Sequence, residues 1–390
     1  VTSLPSRVDA VVIGGGIQGL TFAGEAGRRG QRVLLLEAGE WGGGSTAASL
    51  GIIHGGFRYW QNGDVGRVVR SRREQAWFLR QFPAAVRPLR CLMPFYRGDP
   101  AKPALFAAAA AADRGVRSAM GSRTARLPPP RLIGRRTLLA LAPWLEEQPV
   151  LGAGEWHDVE LVDRPGLIDA LLAHAAEWDA TCLDGAEVRQ VRVSAGGEVA
   201  GVEGVRCPSG ATFRIETPVV VNCGGLALET LARSADPLAP SFFKPLRAHN
   251  LQLRHEAPLP AAFAVGTGKR LFLRPVPEGL VAGTFYGESV EIEHWMDELD
   301  RAAPGLDLRR TSSVAGTLSG VVPAGRDGAT PERRDTVLDH GASGGPRGLF
   351  SISGVKLTTA RWLSAQAAGR IWPAGIRQHA RPCELAGVPA

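Results

Sequence analysis

The stretch from Gly43 to Trp60, GGSTAASLGIIHGGFRYW, combines residue types that can do chemistry with residues that let a ligand come close. Its second half holds His54, whose imidazole can exchange a proton near neutral pH, and Arg58, whose guanidinium can bind an anion through two hydrogen bonds. Its first half consists mainly of small residues, which allow close approach to the backbone. The segment therefore predicts a bound ligand along its first half and a substrate facing its second half.

Lys356 is a further candidate for chemistry. Only four of the 45 basic residues are lysines, so a lysine at the start of a predicted helix indicates a need for a compact charge. The alternative for Lys356 is a solvated lysine, for Arg58 a surface ion pair, and for His54 a histidine held for structure.

The elements that position these residues begin with an apolar run over residues 8–13, which predicts a buried parallel strand. The glycine-rich run GGGIQG covers residues 14–19, and a helical pattern covers residues 17–29. The second strand, QRVLLLEAG, carries Glu37 close to its end. Strand, glycines, helix, strand and acid form a complete dinucleotide-binding pattern.

Each glycine of this pattern is required for a different physical reason. Gly14 permits the tight turn, Gly16 lets the backbone approach a pyrophosphate, and Gly19 lets the helix pack on the strand. The pyrophosphate would lie at the helix N-terminus, where free N–H groups favour anions. Glu37 would bind ribose hydroxyls, which favours FAD or NAD over NADP. A glycine-rich turn without a nucleotide is the alternative.

The rest of the chain predicts a discontinuous domain. Helical patterns cover residues 66–82, 163–178 and 289–303, and strand patterns cover residues 185–193 and 219–225. Residues 85–150 are poorly periodic and predict an inserted region rather than sheet. The predicted fold is α/β: a discontinuous Rossmann-like nucleotide-binding domain with an inserted, mainly antiparallel β-sheet substrate or cap domain. The first takes residues 1–84, 151–243 and 312–390, and the cap takes residues 85–150 and 244–311.

Composition narrows the class of partner. The 390 residues carry a net charge of +7, but no dense basic run is interleaved with aromatic residues, so no nucleic-acid interface is predicted. Because 41 of the 45 basic residues are arginine, the charge is explained first by the composition of the chain. Attraction to a small anionic substrate or to a membrane surface is the alternative. Five cysteines without a CxxC pair argue against a disulfide framework or a metal site and predict a reducing cytoplasm. No signal peptide or membrane span is expected, and the oligomeric state stays open.

Five motifs carry a family resemblance. They are VVIGGGIQG, STAASLGIIHGGFRYW, VVNCGG, SSVAGTLSGVVPAG and GLFSISGVKLTTAR, spread from residue 9 to about residue 370. In these motifs the chain resembles the FAD-dependent glycerol-3-phosphate dehydrogenases, within the wider D-amino-acid oxidase and glycine oxidase superfamily. The resemblance implies an oxidoreductase with FAD as its cofactor.

The motifs and the resemblance together predict the site residues. Those at FAD are Gly14, Gly16, Ile17, Gln18, Gly19, Glu37, Ala38, Ser45, Thr46, Ser49, Leu50, Gly51, Ile53, Val188, Asn222, Gly224, Gly225, Gly354, Val355, Leu357 and Thr358. The catalytic residues are His54, Arg58 and Lys356, and the substrate-binding residues are Tyr59, Asn250, Arg274 and Arg334. His54 is the predicted base, and Arg274 either contacts a substrate carboxylate or faces solvent.

Two departures from the family pattern concern the substrate. Val322 stands where the family has an arginine before a proline, and Asn250 aligns with a substrate-side histidine of the family. One phosphate-binding cation is therefore missing, which predicts an anionic substrate other than glycerol 3-phosphate.

The predicted reaction is oxidation of a small anionic secondary alcohol by hydride transfer to flavin N5. A phosphorylated polyol, a phosphonate or a 2-hydroxy acid would fit. An amine or amino-acid oxidase of the same superfamily and a flavin-binding protein without turnover are the alternatives. Oxygen, a quinone and a carrier protein all stay open as electron acceptor.

Overall fold

The computed structural model describes residues 4–98, 101–121, 124, 126–266, 271–325 and 327–373. The first and last residues of the predicted nucleotide-binding domain, 1–3 and 374–390, lie outside the described residues. The helices are α1 (Ile17–Arg28), α2 (Gly44–Ala47), α3 (Val65–Gln81), α4 (Ala101–Met120), α5 (Arg135–Leu141), α6 (Arg164–Ala176), α7 (Leu228–Arg233), α8 (Ile292–Ala302), α9 (Leu308–Thr311) and α10 (Ala360–Ile371). The strands are β1 (Ala10–Ile13), β2 (Val33–Leu36), β3 (Ile52–Ile53), β4 (Val86–Tyr96), β5 (Arg131–Gly134), β6 (Val150–Leu161), β7 (Thr181–Leu183), β8 (Ala186–Val193), β9 (Val199–Arg206), β10 (Thr212–Glu216), β11 (Val220–Asn222), β12 (Lys244–His255), β13 (Ala262–Val265), β14 (Leu271–Val276), β15 (Gly279–Tyr286), β16 (Ser312–Ala324), β17 (Thr336–Asp339) and β18 (Leu349–Ser353).

Across the described residues the strands form three sheets. The parallel sheet has the order β17-β18-β11-β1-β2-β7, with β17 antiparallel at one edge. The small sheet has the order β10-β9-β8. The large sheet has the order β16-β12-β15-β14-β13-β4-β6-β3, and β5 pairs with β6 beside it.

The parallel sheet forms because its central strands are apolar on both faces. Every residue of β1 and β2 is buried, as is typical of parallel strands that are covered on both sides. Val12 and Leu35 pack with α1, α6 and α10 on one face, while Val11 and Leu34 pack with the small sheet on the other. The predicted Rossmann-like domain is confirmed.

The carboxyl ends of β2, β1, β11 and β18 meet at one edge of the parallel sheet. The amide of Gly14 donates to the Leu36 carbonyl at 2.8 Å, and the amide of Cys223 donates to the Ile13 carbonyl at 2.8 Å. The chain leaves β1 toward β2 on one side and enters β11 on the other. Ligand crevices of open parallel sheets lie at such reversals.

The large sheet corrects the prediction that residues 85–150 contain no sheet. In this region β4 pairs with β6 from Val86 to Tyr96. Pro88 and Pro94 interrupt the sequence pattern of β4. The strand tolerates them because its ladder with β13 covers only Cys91 and Leu92, so neither proline has to donate to β13.

The membership of the large sheet also differs from the predicted domain ranges. Strands β3, β6 and β16 all belong to this sheet, although residues 1–84, 151–243 and 312–390 were assigned to the nucleotide-binding domain. The reason is pairing over long stretches: β16 runs beside β12 from Ser312 to Ala324. The sheet is mainly antiparallel, as predicted, with β4 and β13 as a parallel pair.

Within the part of the chain that the structure describes, no helix combines the length and the apolar character needed to cross a membrane.

Candidate functional site

The turn after β1 needs two of its glycines for the protein's own packing. Gly14 has φ +101°, and a Cβ there would lie 2.5 Å from the carbonyl oxygen of Cys223. A Cβ at Gly19 would lie 1.8 Å from the carbonyl oxygen of Gly14. Both positions therefore exclude a side chain, which agrees with the predicted tight turn and the close packing of α1 on β1.

Gly16 differs, because the protein itself leaves room beside it. Its backbone has φ −73° and ψ 179°, which any residue adopts. A Cβ there would meet only the Thr46 hydroxyl, at 3.4 Å. The adjacent amide of Ile17, at the start of α1, donates to that hydroxyl at 3.1 Å. The space beside Gly16 at the helix N-terminus is suited to a phosphate group.

The acid at the end of β2 faces the same turn. The Glu37 carboxylate accepts hydrogen bonds from the amides of Gly15, at 2.5 Å, and Gly39, at 2.8 Å. The Glu37 carbonyl accepts from the amide of Ala186, which begins β8 and brings Val188 to this end of the crevice. This contact puts the start of β8, the strand that carries Val188, next to Glu37, the predicted ligand of the ribose hydroxyls.

The end of β11 borders the crevice from the other side. Asn222 is fully buried; its side chain donates to the Leu228 carbonyl at 2.8 Å and accepts from the Gly224 amide at 3.1 Å. Gly225 has φ +57°, a conformation that favours glycine. Asn222 therefore holds the shape of the Gly224–Gly225 turn from within.

The segment from α2 to β3 is clamped by side chains from three distant elements. Asn250 donates to the Ala48 carbonyl at 2.9 Å, Arg164 to the Ser49 carbonyl at 2.9 Å, and Arg274 to the Leu50 carbonyl at 2.8 Å. Asn250 also accepts from Thr284, and Arg274 is paired with Glu160 at 3.4 Å. Asn250 and Arg274 were predicted at the substrate. Both side chains are buried and bind backbone carbonyls of the segment predicted to line the cofactor, and neither lines the cavity described below.

The turn before α10 closes the crevice near α1. Gln18 on α1 donates to the Ser364 hydroxyl at 2.7 Å, and a Cβ at Gly354 would lie 2.6 Å from Gln18 Oε1. The amide of Val355 donates to Asp335 at 2.9 Å. The hydroxyl of Thr358 accepts from the His54 amide at 3.1 Å, which ties this turn to the segment that follows β3.

The residues present fit an FAD molecule. Gln18 Oε1 and Ser49 Oγ are buried and have no hydrogen-bond partner among the described residues. Both belong to the predicted cofactor set. Buried polar atoms are normally hydrogen-bonded, so these two atoms are suited to a polar ligand along the crevice.

His54 forms a pair with a buried carboxylate that sequence analysis missed. Its Nδ1 lies 3.0 Å from Asp158 Oδ2. Asp158 also accepts from the Gly55 amide at 2.7 Å and from the Trp156 indole at 3.2 Å. Burial of Asp158 opposes its ionisation, but the hydrogen bonds from His54 and the Gly55 amide and the nearby charge of Arg72 hold its pKa below the usual range.

A cavity of about 620 Å³ opens beside this pair. His54, Arg58, Tyr59 and Lys356 line it together with Asp158, whereas Asn250, Arg274 and Arg334 do not. Arg334 is exposed between β16 and β17, where its amide donates to Glu332 at 3.0 Å. The structure thus brings four of the seven predicted catalytic and substrate-binding residues to one cavity.

Lys356 is a largely buried basic residue that lines this cavity. Burial, aided by the charge of Arg58, lowers its pKa to about 8. The ammonium lies 4.5 Å from the centre of the Tyr59 ring, a favourable cation–π contact. Arg58 and Lys356 place two positive charges near each other, and an anion would relieve their repulsion.

One sequence signal could have revealed Asp158. Strand β6 carries three acids, Glu155, Asp158 and Glu160, and each is almost fully buried. Charged residues inside a strand are rarely buried without a partner. The three acids of GEWHDVEL are therefore candidates for a functional site. The residues that pair with them are distant in the chain, so the local sequence does not identify them.

Comparison with known proteins agrees with this geometry. A family model described as FAD dependent oxidoreductase matches residues 9–377. The aerobic glycerol-3-phosphate dehydrogenase of Staphylococcus saprophyticus is 25% identical over 92% of this chain, and the match covers 66% of that protein. The chain therefore spans slightly less than two thirds of the length of this relative.

Solved structures show the same fold. The glycerol-3-phosphate dehydrogenase of Bacillus halodurans complexed with FAD has a TM-score of 0.70 and 19% identity, over 95% of this chain and 66% of that one. The L-proline dehydrogenase of P. horikoshii has a TM-score of 0.70 and 18% identity, over 95% of both chains. The family match over almost the whole described chain, together with the dinucleotide crevice, shows that this protein belongs to the FAD-dependent oxidoreductase family and uses FAD as its cofactor.

Proposed function

We propose that this enzyme oxidises an anionic secondary alcohol, such as a phosphorylated polyol, a phosphonate or a 2-hydroxy acid, to the ketone. The observation that carries the proposal is the placement of the His54–Asp158 pair beside Arg58 and Lys356 in one cavity. FAD, when bound, supplies the oxidant by accepting the hydride of the substrate C–H bond at N5.

His54 is placed to take the hydroxyl proton. Asp158 is held ionised and lies at Nδ1, so the neutral imidazole carries its proton on Nδ1 and leaves Nε2 as the acceptor. After the transfer, the Asp158 carboxylate stabilises the imidazolium. The Gly55 amide and the Trp156 indole also donate to Asp158 and fix the position of its carboxylate. The hydrogen bond of His54 to this carboxylate then orients the imidazole ring.

The charges of the cavity favour an alcohol over an amine. Among its described lining residues Asp158 is the sole carboxylate, and His54, Gly55 and Trp156 already occupy it. A substrate ammonium would therefore meet Arg58 and Lys356 without an opposing acid. The anionic end of a hydroxy compound meets these two cations favourably.

Anaerobic mixing of the holoenzyme with a substrate panel tests the proposal. The panel contains 2-hydroxy acids, small phosphonates, glycerol 3-phosphate and amino acids, and the readout is loss of the oxidised flavin spectrum. We expect reduction by a hydroxy anion and only weak reduction by glycerol 3-phosphate. Reduction by amino acids alone would move the enzyme to the amine oxidases. Rapid reduction by micromolar glycerol 3-phosphate would contradict the inference from Val322.

Anion binding is expected to weaken as the pH rises through about 8, the pKa of Lys356. Below this pH Lys356 is a cation that attracts a carboxylate; above it the amine is neutral. A charge-assisted hydrogen bond contributes about 1.5–3 kcal/mol, so affinity should fall about tenfold or more between about pH 7 and about pH 9.5. Calorimetric titration with an unreactive carboxylate measures this, and near pH 8.5 it should also detect proton uptake on binding.

The matched variant is Lys356→Arg, since a guanidinium stays protonated over this range. Its affinity should be nearly independent of pH, although its geometry at the anion differs. Arg58 is present in both proteins and should retain part of the binding. If the parent bound the carboxylate equally well at both pH values, Lys356 would not contact the anion.

A further inference from the structure

Most of the cavity wall is apolar, although its ligand is expected to be charged. Phe57, Trp156 and Phe272 line it and are called the aromatic wall below. None of the residues predicted to bind FAD is among the described residues that line it. A volume of about 620 Å³ lies in the range of cavities that hold drug-sized ligands.

Aromatic rings connect His54 to the far side of the cavity. The centroid of the His54 ring lies 5.6 Å from that of Phe272, which lies 6.5 Å from Trp156. Trp156 stacks on Phe57 at 6.1 Å, and Phe57 contacts Phe106 of α4 at 4.8 Å. These contacts make a continuous apolar path from the proposed base to α4.

Helix α4 lines the cavity with Lys102 and, from the next turn onward, with a stripe of apolar residues. Leu105, Ala108, Ala109 and Ala112 line the cavity, and their spacing of three to four residues puts them on one face of the helix. Leu105 is 68% exposed although it is a large apolar residue. Small residues along the stripe leave room between the helix and the aromatic wall.

Buried contacts hold α4 in this place. Asp113 of α4 pairs with Arg72 of α3 at 2.9 Å, and both side chains are almost completely buried. Phe106 packs so closely on β6 that a Cβ at Gly154 would lie 2.3 Å from its ring. The removal of one partner of a buried ion pair is strongly destabilising, so the position of α4 is a fixed feature of the fold.

We propose, on the basis of the proposed oxidation, that the substrate is amphiphilic. Its anionic end lies at Arg58 and Lys356, with the reacting hydroxyl at His54. Its apolar chain or ring lies between the aromatic wall and the stripe on α4. A small polar substrate would leave this apolar surface uncovered, whereas a hydrocarbon chain would remove it from water.

Unreactive alkanoates test the apolar part without any oxidation. We expect calorimetric titration of the holoenzyme with butanoate, hexanoate and octanoate to show affinity rising about fourfold for each added methylene, the value for burial of a CH₂ group. Constant affinity across the series would overturn the proposal. If octanoate binds tightly but no hydroxy compound reduces the flavin, the proposed oxidation fails while the apolar subsite stands.

Three variants of α4 locate the binding. Ala109→Phe fills the stripe and should weaken octanoate binding about tenfold or more, equal to the loss of roughly two methylene contacts, with butanoate little affected. Ala111 is exposed on the same helix and does not line the cavity, so Ala111→Phe should bind both acids as the parent does. Leu105→Ser, at an exposed position that cannot disturb the core, should also weaken octanoate binding. Unchanged octanoate affinity in both Ala109→Phe and Leu105→Ser would overturn the proposal.

Discussion

Replacement of Gly16 with valine is expected to give a folded protein that retains no FAD. The backbone at Gly16 already has a conformation open to any residue, and a Cβ there meets only the Thr46 hydroxyl at 3.4 Å. The isopropyl group would instead occupy the space that the pyrophosphate needs at the N-terminus of α1. The measurement is the ratio of FAD to protein after gel filtration, together with the melting temperature.

The melting temperature separates loss of binding from loss of fold. A ligand that binds the native state stabilises it in proportion to RT ln(1 + [L]/Kd). Added FAD should therefore raise the melting temperature of the FAD-depleted parent but leave that of Gly16→Val unchanged. Substitutions of Gly14 or Gly19 could not make this distinction, because their side chains would meet the protein's own backbone.

Gly134 provides a matched control. It precedes α5 as Gly16 precedes α1, with φ −74° and ψ 167°, and a Cβ there would meet nothing within 4 Å. Gly134→Val therefore makes the same chemical change at an equivalent helix start that carries no nucleotide. It should retain the FAD content of the parent. A Gly16→Val protein with normal FAD content would show that the pyrophosphate lies elsewhere.

The removal of the His54 imidazole is expected to slow flavin reduction about 10²-fold or more without loss of FAD. A positioned general base commonly contributes 10²–10⁴-fold to a rate. The His54 side chain contacts Asp158, whereas only its backbone amide bonds to Thr358 near the predicted flavin segment. His54→Ala thus removes the base and keeps the contact that ties the two segments together. Anaerobic stopped-flow reduction gives the rate, and the FAD content gives the cofactor occupancy.

Two further proteins sharpen this experiment. His294 is exposed on α8, and His294→Ala should reduce as fast as the parent. Asp158→Asn keeps an oxygen for the Gly55 amide but loses the charge opposite His54, so reduction should slow and its pH profile should shift. Binding of an unreactive carboxylate should change little in His54→Ala, since Arg58 and Lys356 remain. Equal rates in His54→Ala and the parent would remove His54 from the reaction.

Short-range patterns determined the nucleotide-binding part of this protein. The run from β1 through α1 to β2 is continuous in sequence. The local strand-turn-helix geometry therefore fixes which neighbours its glycines and apolar residues contact. Gly14 and Gly19 are needed where the pattern predicts them. His54, Arg58 and Tyr59 also reach one cavity together, because they follow β3 within a single short turn.

Tertiary structure alone decided the partners and the shape of the substrate side. Asp158 is 104 residues from His54 in the chain, and only the pairing of β3 with β6 brings them together. Asn250 and Arg274 show the converse: their residue types suit a substrate, but the direction of their strands aims them at backbone carbonyls. The buried Arg72–Asp113 pair, which joins α4 to α3, connects residues that are 41 apart in the chain. The direction of a side chain and the register between strands that are distant in sequence depend on the packing of the whole chain. The spacing of residues within one segment does not determine them.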